Sequence, residues 1–348
     1  MEAHKPLPTV TIIMPIRNEA SFIARGIDSV VRQDYPAERM EILVVDGMSN
    51  DGTREVVQQI ADQPRRPNGE PLPSIHLLDN PAGIVPVAMN IGLRHTHNEI
   101  VIRIDGHCEI PPDYVRRCVA ALDASGAACA GGLIITVGDT VRARAIALAQ
   151  SSTFGVGGVA FRTGHGQPRY VDTLAFGAYR REVFQRIGGF DEELVRNQDD
   201  ELNFRLIQAG GKIWLDPSIQ AVYYSRSSLR KLWRQYYEYG LYKVRVIQKR
   251  GGVAAWRHLV PALFVLSLLG SLISGALTRR PWLTLSVAGP YGLVNLGVSM
   301  WICRNEPLAL PFTPLAFLAL HFAYGLGFLA GLWRWRKCDR DRPESTVI

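Results

Sequence analysis

The chain has 348 residues, 47% of them hydrophobic and 20% charged, with a formal net charge of +7. Such a length holds one sizeable α/β domain plus a smaller region, and five cysteines (Cys108, Cys118, Cys129, Cys303, Cys338) form an odd set without metal-ligand spacing, which fits reduced thiols rather than a disulfide framework. The charge does not indicate nucleic acid: no base-reading motif is present, and the densest basic stretch, Arg226 to Arg257, abuts long apolar runs, where Lys and Arg face anionic lipid and set orientation.

The opening MEAHKPLPTV has no apolar stretch of signal-peptide type, so the first domain is expected to stay in the cytoplasm. Thr9 to Pro15 is a short apolar, β-branched run, followed by a helical pattern through Ile23, Ile27 and Val30. Glu41 to Asp46 is a second strand, ended by turn residues in GMSNDGT and followed by a helix through Val56 and Ile60. PRRPNGEPLPS reads as a surface loop, IHLLDN as the third strand, Ala82 to His95 as a helix, and Glu99 to Asp105 as the fourth strand. Continuous apolar strands separated by helices predict a parallel sheet covered on both faces, a Rossmann-like, doubly wound α/β domain.

From about Ala130 to Tyr224 the pattern is Gly-rich loops, a strand around Tyr170 to Phe176, helices over Arg181 to Ile187 and Asp199 to Ala209, and short closing strands at Lys212 to Leu215 and Gln220 to Tyr224. Next, Leu229, Trp233, Tyr236, Gly240, Val244 and Ile247 recur every three or four residues opposite Arg230, Arg234, Arg245 and Lys249. This amphipathic helix suits either the membrane interface or packing on the catalytic domain. Three stretches, His258 to Thr278, Pro281 to Cys303 and Pro311 to Trp333, have the roughly 20 apolar residues that a bilayer span requires, with tryptophans near their ends. Three spans with the first domain inside would leave the basic tail RWRKCDRDR outside, against the positive-inside tendency. One stretch is therefore a candidate re-entrant or interfacial segment, the Gly- and Pro-interrupted middle one first. The expected organisation is a domain at 1–225, a basic amphipathic segment at 226–257, a membrane region at 258–335 and a polar tail at 336–348.

Ligands of a doubly wound sheet sit beyond the carboxyl ends of its strands. Acidic and amide residues gather at those ends: Glu19 after the first strand, Asp46 after the second, Asp79 and Asn80 after the third, and Asp105 after the fourth. Any one of them could be a turn or capping residue, but their repetition describes a pocket for a hydrogen-bonding, cation-assisted ligand.

Over roughly Thr9 to Tyr224 the chain resembles the family 2 glycosyltransferases of GT-A fold. PIRNE, with Pro15 and Glu19, resembles the opening motif. VVDGMSNDGT, with Asp46, Ser49 and Asp51, resembles the nucleotide-recognition motif, in which the residue matching Asp46 holds the base. DGH resembles the DxD motif: Asp105 matches the first Asp, near ribose and metal, and His107 replaces the second. Imidazole also binds manganese, so the resemblance implies Mn2+ or Mg2+ held by Asp105 and His107. GGFDEELVRNQDDELNFRL resembles the acceptor-side segment. Aligned on Leu202 and Arg205, it puts Asp199 at the general-base position, with Asp200 the neighbouring alternative and Gln198 where Glu is usual. A plain helix-capping role for these acids is the competing reading.

FGVGGVAFR, ending at Arg162, and the three apolar stretches resemble the β-1,3-glucosyltransferases of succinoglycan-type exopolysaccharide assembly. That resemblance implies UDP-glucose as donor, a lipid-linked saccharide as acceptor, and a multi-pass protein of the inner (plasma) membrane in contact with its lipids. Trp233 and Arg234 stand where processive synthases carry Gln-x-x-Arg-Trp, a motif absent here; RQYYEYG is similar to the non-processive members. The reaction then implied is a single displacement with inversion. Two alternatives stand beside it: a polyprenyl-phosphate sugar synthase, and a non-catalytic assembly protein that retains the fold.

Overall fold

The computed structural model describes residues 6–336, except residues 64–68, 70, 165, 226–227 and 253–254. Most of PRRPNGEPLPS, Arg226 in the basic stretch, and the polar tail beyond Arg336 lie outside the described residues. The chain divides into two compact units. The described part of the first lies within Met1–Ile135 and Gly164–Tyr223, and that of the second within Thr136–Thr163 and Tyr224–Arg342.

The first unit is built on β1 (Val10–Ile16), β2 (Met40–Asp46), β3 (Ser74–Asp79) and β4 (Ile100–Arg103), which pair parallel in the order β3-β2-β1-β4. The helices between them are α1 (Ile23–Val31), α2 (Thr53–Ala61) and α3 (Val85–His95). Every residue of β1 is buried, as a strand covered on both faces requires. The four strand ends therefore lie along one edge, with Ile16, Asp46 and Asp79 in register.

Beyond β4 the sheet changes character. After β5 (Cys108–Glu109) and α4 (Tyr114–Ser125) come β6 (Cys129–Val137), β7 (Arg169–Val171) and β8 (Ala178–Arg180). After α8 (Arg181–Ile187) and α9 (Gln198–Gln208) comes β9 (Ile213–Tyr224). The order continues β4-β8-β6-β9-β5, and β8 is antiparallel to both β4 and β6. The all-parallel expectation thus holds for four strands, and the sheet as a whole is mixed.

Three local expectations are corrected. The Gly-rich stretch after Ala130 is a strand, β6, because Gly131 and Gly132 sit where neighbours come close: a methyl on Gly132 would lie 1.8 Å from the Ile219 carbonyl oxygen. The two closing strands are one continuous strand, β9, in which Asp216 Oδ1 accepts from Ser218 N (2.8 Å) between the β7 and β5 ladders. Strand structure at Tyr170 stops at Val171, one turn of chain earlier than its apolar pattern suggests.

The second unit is helical: α5 (Val141–Gln150), the short α6 (Thr153–Val156) and α7 (Ala160–Thr163), α10 (Leu229–Arg250), α11 (Val260–Thr278), α12 (Trp282–Ile302) and α13 (Thr313–Arg334). The helices α11, α12 and α13 are long and apolar enough to cross a membrane. The apolar stripe of α10 is covered by protein. Leu232 and Tyr236 share a buried cluster with Ile146 and Ala149 of α5 and with Ala316, Phe317 and Leu320 of α13. A methyl on Gly240 would lie 2.1 Å from the Tyr324 carbonyl oxygen, and one on Gly327 would lie 2.0 Å from that of Tyr237. Glycine on both partners lets the two backbones touch. The stripe thus packs within the helical unit, on α5 and α13, a setting that the sequence reading did not name.

Candidate active site

At the ends of β1 and β2 the two following loops are joined. Asn18, in the left-handed region (φ 53), donates its N–H to Ser49 Oγ (2.8 Å), and its side-chain oxygen accepts from Asn50 N (3.0 Å). Glu19 N donates to Thr53 Oγ1 (2.9 Å) and Ala20 N to Asp51 Oδ2 (3.2 Å). The Thr53 hydroxyl on Asp51 holds that carboxyl below its usual range. Asp46 is fully buried, bonded by Ser49 N (2.9 Å) and the Ser49 hydroxyl, and paired with Arg54 (2.8 Å). Arg54 also reaches Asp79 (2.7 Å), linking the ends of β2 and β3. A buried carboxylate needs such partners, and these fix Asp46 and Ser49 in place. Pro15 is buried in β1 opposite Val45 of β2.

The end of β4 carries the second cluster. Arg103 grips Asp105 with two nitrogens (2.8 and 3.2 Å). Burial opposes the charge of Arg103, but Asp105 and then Asp199 more than offset it, and the guanidinium is held charged. Burial pushes the Asp199 carboxyl above its ordinary value, Arg103 pulls it down, and Asp200 pushes it up again. The site thus pairs a fixed cation with two carboxylates, one of them raised in basicity. Gly106 lets this strand end approach β1, since a methyl there would lie 2.8 Å from Ile16 Cγ2.

His107 is packed against Glu19, with Nδ1 3.0 Å from Oε1, and its ring meets Tyr223 edge-on. Its Nε2 is buried and makes no hydrogen bond. With the proton of Nδ1 directed at Glu19, Nε2 presents a lone pair, and a carboxylate behind the imidazole is the usual support of a metal-binding histidine. No group of three His, Cys, Asp or Glu among the described residues could hold a metal ion. The residues therefore fit a cation bound through one or two protein groups, which completes its shell with substrate phosphate and water.

The helix α9 starts after Asn197, which lies in the left-handed region (φ 62), and has Asp199, Asp200 and Glu201 in its first turn, where the helix dipole favours acids. Gln198 is buried. Arg205 bonds Glu201 (2.6 and 2.9 Å) and the carbonyls of Ile187 and Gly189 (2.7 Å to Gly189), so it fastens α9 to the end of α8. Asn203 fastens the other side, through Tyr179, Thr173 and Leu174.

The first unit thus brings together Pro15, Glu19, Asp46, Ser49 and Asp51 at one part of the edge, and Asp105 and His107 at β4. Asp199 is joined electrostatically to Asp105 through Arg103. Arg162, Trp233 and Arg234 belong to the second unit. There Arg162 donates to Thr136 Oγ1 (3.1 Å), Trp233 is exposed, and Arg234 pairs with Glu238 (3.0 Å). Sequence reading missed Arg103 and Arg54. The signal for Arg103 was a lone Arg in the apolar run EIVIRID, two residues before Asp105 and so on the same face of the strand.

Comparison with known proteins agrees with this geometry. The chain is 31% identical over 331 residues to the succinoglycan biosynthesis protein ExoA of Rhizobium meliloti (strain 1021), covering 94% of this chain and 96% of that protein. It is 26% identical over 329 residues to the dolichyl N-acetyl-α-D-glucosaminyl phosphate 3-β-D-2,3-diacetamido-2,3-dideoxy-β-D-glucuronosyltransferase of Methanococcus voltae, covering 93% and 97%. Among solved structures, the mannosyltransferase PcManGT from Pyrobaculum calidifontis, in complex with GDP-Man and Mn2+, shares the fold with a TM-score of 0.57 at 20% identity, covering 94% of this chain and 88% of that one. The profile described as glycosyl transferase family 2 matches residues 11–188, which include β2 to β4, nearly all of β1, and Glu19, Asp46, Asp79 and Asp105 at the strand ends, and this protein belongs to that family.

Proposed function

We propose that this glycosyltransferase moves glucose from UDP-glucose to a lipid-linked glycan in exopolysaccharide assembly, with inversion at the anomeric carbon. The observation that carries the reading is the charge cluster in which Arg103 joins Asp105 at the end of β4 to Asp199 at the start of α9. A donor-phosphate region and a raised carboxylate side by side are what a single displacement by a hydroxyl needs.

In this reading Asp46, fixed by Ser49 and Arg54, accepts from the nucleobase, with Pro15, Glu19 and Asp51 shaping the pocket around it. Asp105 and His107 would hold Mn2+ or Mg2+, which would supply Lewis-acid stabilisation of the departing diphosphate. Asp199 removes the proton of the acceptor hydroxyl, and burial keeps it basic enough to do so; Asp200 is the neighbouring candidate. Gln198 and Arg205, with Arg162, Trp233 and Arg234 of the second unit, are assigned to the acceptor side. Similarity to a succinoglycan biosynthesis protein, and to a relative named for transfer to a dolichyl phosphate-linked sugar, supports a lipid-linked saccharide over a bare lipid phosphate. Residues 1–225 are proposed as the transfer domain, and 226–257 and 258–335 as the membrane-associated part. The protein is placed in the inner membrane with its transfer chemistry at the cytoplasmic face.

The test is an assay of membranes carrying the protein against a panel of nucleotide sugars, with and without Mn2+ and a lipid-linked acceptor pool. Metal-dependent transfer from UDP-glucose, abolished in Asp199→Asn, is expected. Transfer from another donor alone would change the sugar, and binding of no donor at all would turn the reading toward a non-catalytic assembly role.

A further inference from the structure

The apolar lengths of α11, α12 and α13 are alike, but their surroundings differ. Only 17% of the most apolar window of α11 and 11% of that of α12 is buried within the protein, against 50% for α13. A methyl on Gly270, Gly289, Gly292 or Gly297 would meet no atom within 4 Å, so the sides of α11 and α12 that carry these glycines have open space beside them. Their exposed large side chains are Leu, Ile, Val, Met and Trp. A surface of that composition and length fits hydrocarbon.

α13 has a different partner. α10 lies parallel to it from end to end: Tyr237 against Gly327, Leu241 against Gly331, and Gln248 bonded to the Trp335 carbonyl (3.2 Å). Trp335 Nε1 donates back to the Leu241 carbonyl (3.2 Å). α10 is basic at both ends, with exposed Arg230, Lys231 and Arg234 near its start and exposed Lys249 near its close, while Lys243 and Arg245 within it are buried in protein. If α13 crossed the bilayer in this packing, α10 would have to enter hydrocarbon beside it along its whole length of ~33 Å. Such a density of charge is excluded from the bilayer core and suits the interface.

The contacts of α13 with the hairpin agree. It meets α11 near that helix's start, where a methyl on Gly325 would lie 2.5 Å from the Pro261 carbonyl oxygen and 2.7 Å from Val265. It meets α12 from that helix's middle onward, through His321 to Tyr291 (2.9 Å) and Asn295 to the Pro314 carbonyl (3.2 Å). Both contacts lie away from the turn at Arg279, toward the open end of the hairpin. The exposed residues Arg334 and Arg336, closing α13, would have to be carried across the bilayer by a third span.

We propose that the membrane region has two spans: α11 and α12 form the transmembrane hairpin, while α13 lies at its base in the interface, shielded by α10. The chain before α11 and the end of α13 then face the same side, and the basic residues of both meet anionic lipid there. The interfacial stretch is the third apolar run, not the Gly- and Pro-interrupted second one.

Single cysteines at Arg279, Arg304 and Arg336, in a Cys338→Ser background, test this with a membrane-impermeant maleimide on sealed right-side-out and inside-out vesicles. The other four cysteines are buried. Arg304→Cys and Arg336→Cys should react in one vesicle orientation and Arg279→Cys in the other. Reaction of Arg336→Cys together with Arg279→Cys would establish three spans and overturn the proposal, as would reaction of all three in one orientation. The orientation in which Arg279→Cys reacts separately tests the cytoplasmic placement proposed above. A second set at Arg280, Asn305 and Arg334 repeats the measurement should any of the first variants fail to fold.

Discussion

In β1 the whole of VTIIMPI is buried, whereas in α12 the buried residues are Asn295 and Ser299, and Leu285, Leu293, Leu296 and Met300 face outward. Two apolar segments of one chain thus sort their residues in opposite senses. In the strand, apolar side chains leave water by packing on protein. In the helix such packing covers one side, where Val298 and Ile302 meet the buried cluster of α13, and Asn295 and Ser299 turn inward because they need partners that hydrocarbon does not supply. The contrast marks one unit as made for water around a polar edge and the other as made in part for lipid.

The largest expected effect lies at the polar edge. Asp199→Asn should lower turnover by about 10²–10⁴-fold, the usual worth of a positioned general base, while donor affinity stays within a few-fold. Single-turnover transfer and a donor titration read the two quantities separately. Next, Asp46→Ala should raise the donor Kd about tenfold or more, since hydrogen bonds to a charged group contribute about 1.5–3 kcal/mol. An unchanged Kd would remove Asp46 from the nucleotide pocket.

In the helical unit the comparison can be broken deliberately. Gly327→Leu puts side-chain atoms where a methyl already lies 2.0 Å from a carbonyl oxygen, so it should cost about 1–3 kcal/mol and lower the unfolding temperature in detergent. Gly292→Leu, with open space around it, should leave that temperature unchanged. Equal losses in both would mean that α12 is packed by protein as tightly as α13.

The smallest effect is a pH shift. Burial and then Asp200 raise the carboxyl of Asp199, and a general base in the proposed role acts only when ionised, so activity should fall as pH drops through that raised value. Asp200→Asn removes one raising influence, and the acid limb of kcat should move to lower pH with turnover largely kept. Loss of turnover instead would transfer the base role to Asp200.

The parallel half was legible because its strands are continuous apolar runs closed by turn residues, and the acids at their ends stand out by position. β6 was not, because Gly131 and Gly132 weaken the strand signal while serving contacts with residues such as Ile219 that are distant in sequence. Arg103 was passed over for a similar reason: its meaning depends on Asp199, almost a hundred residues away in the chain. The motif around Asp199 was visible, but whether the carboxyl is raised depends on burial, which only the folded chain has.

By itself the sequence determined the family motifs, the strand–helix alternation of the first unit, and three apolar helices, since these follow from local periodicity and composition. Which apolar face meets lipid and which meets protein was decided by tertiary structure. An amphipathic stripe such as that of α10 records only that water is excluded, and the glycines of α10 and α13 acquire their role when two backbones, far apart in the chain, come into contact.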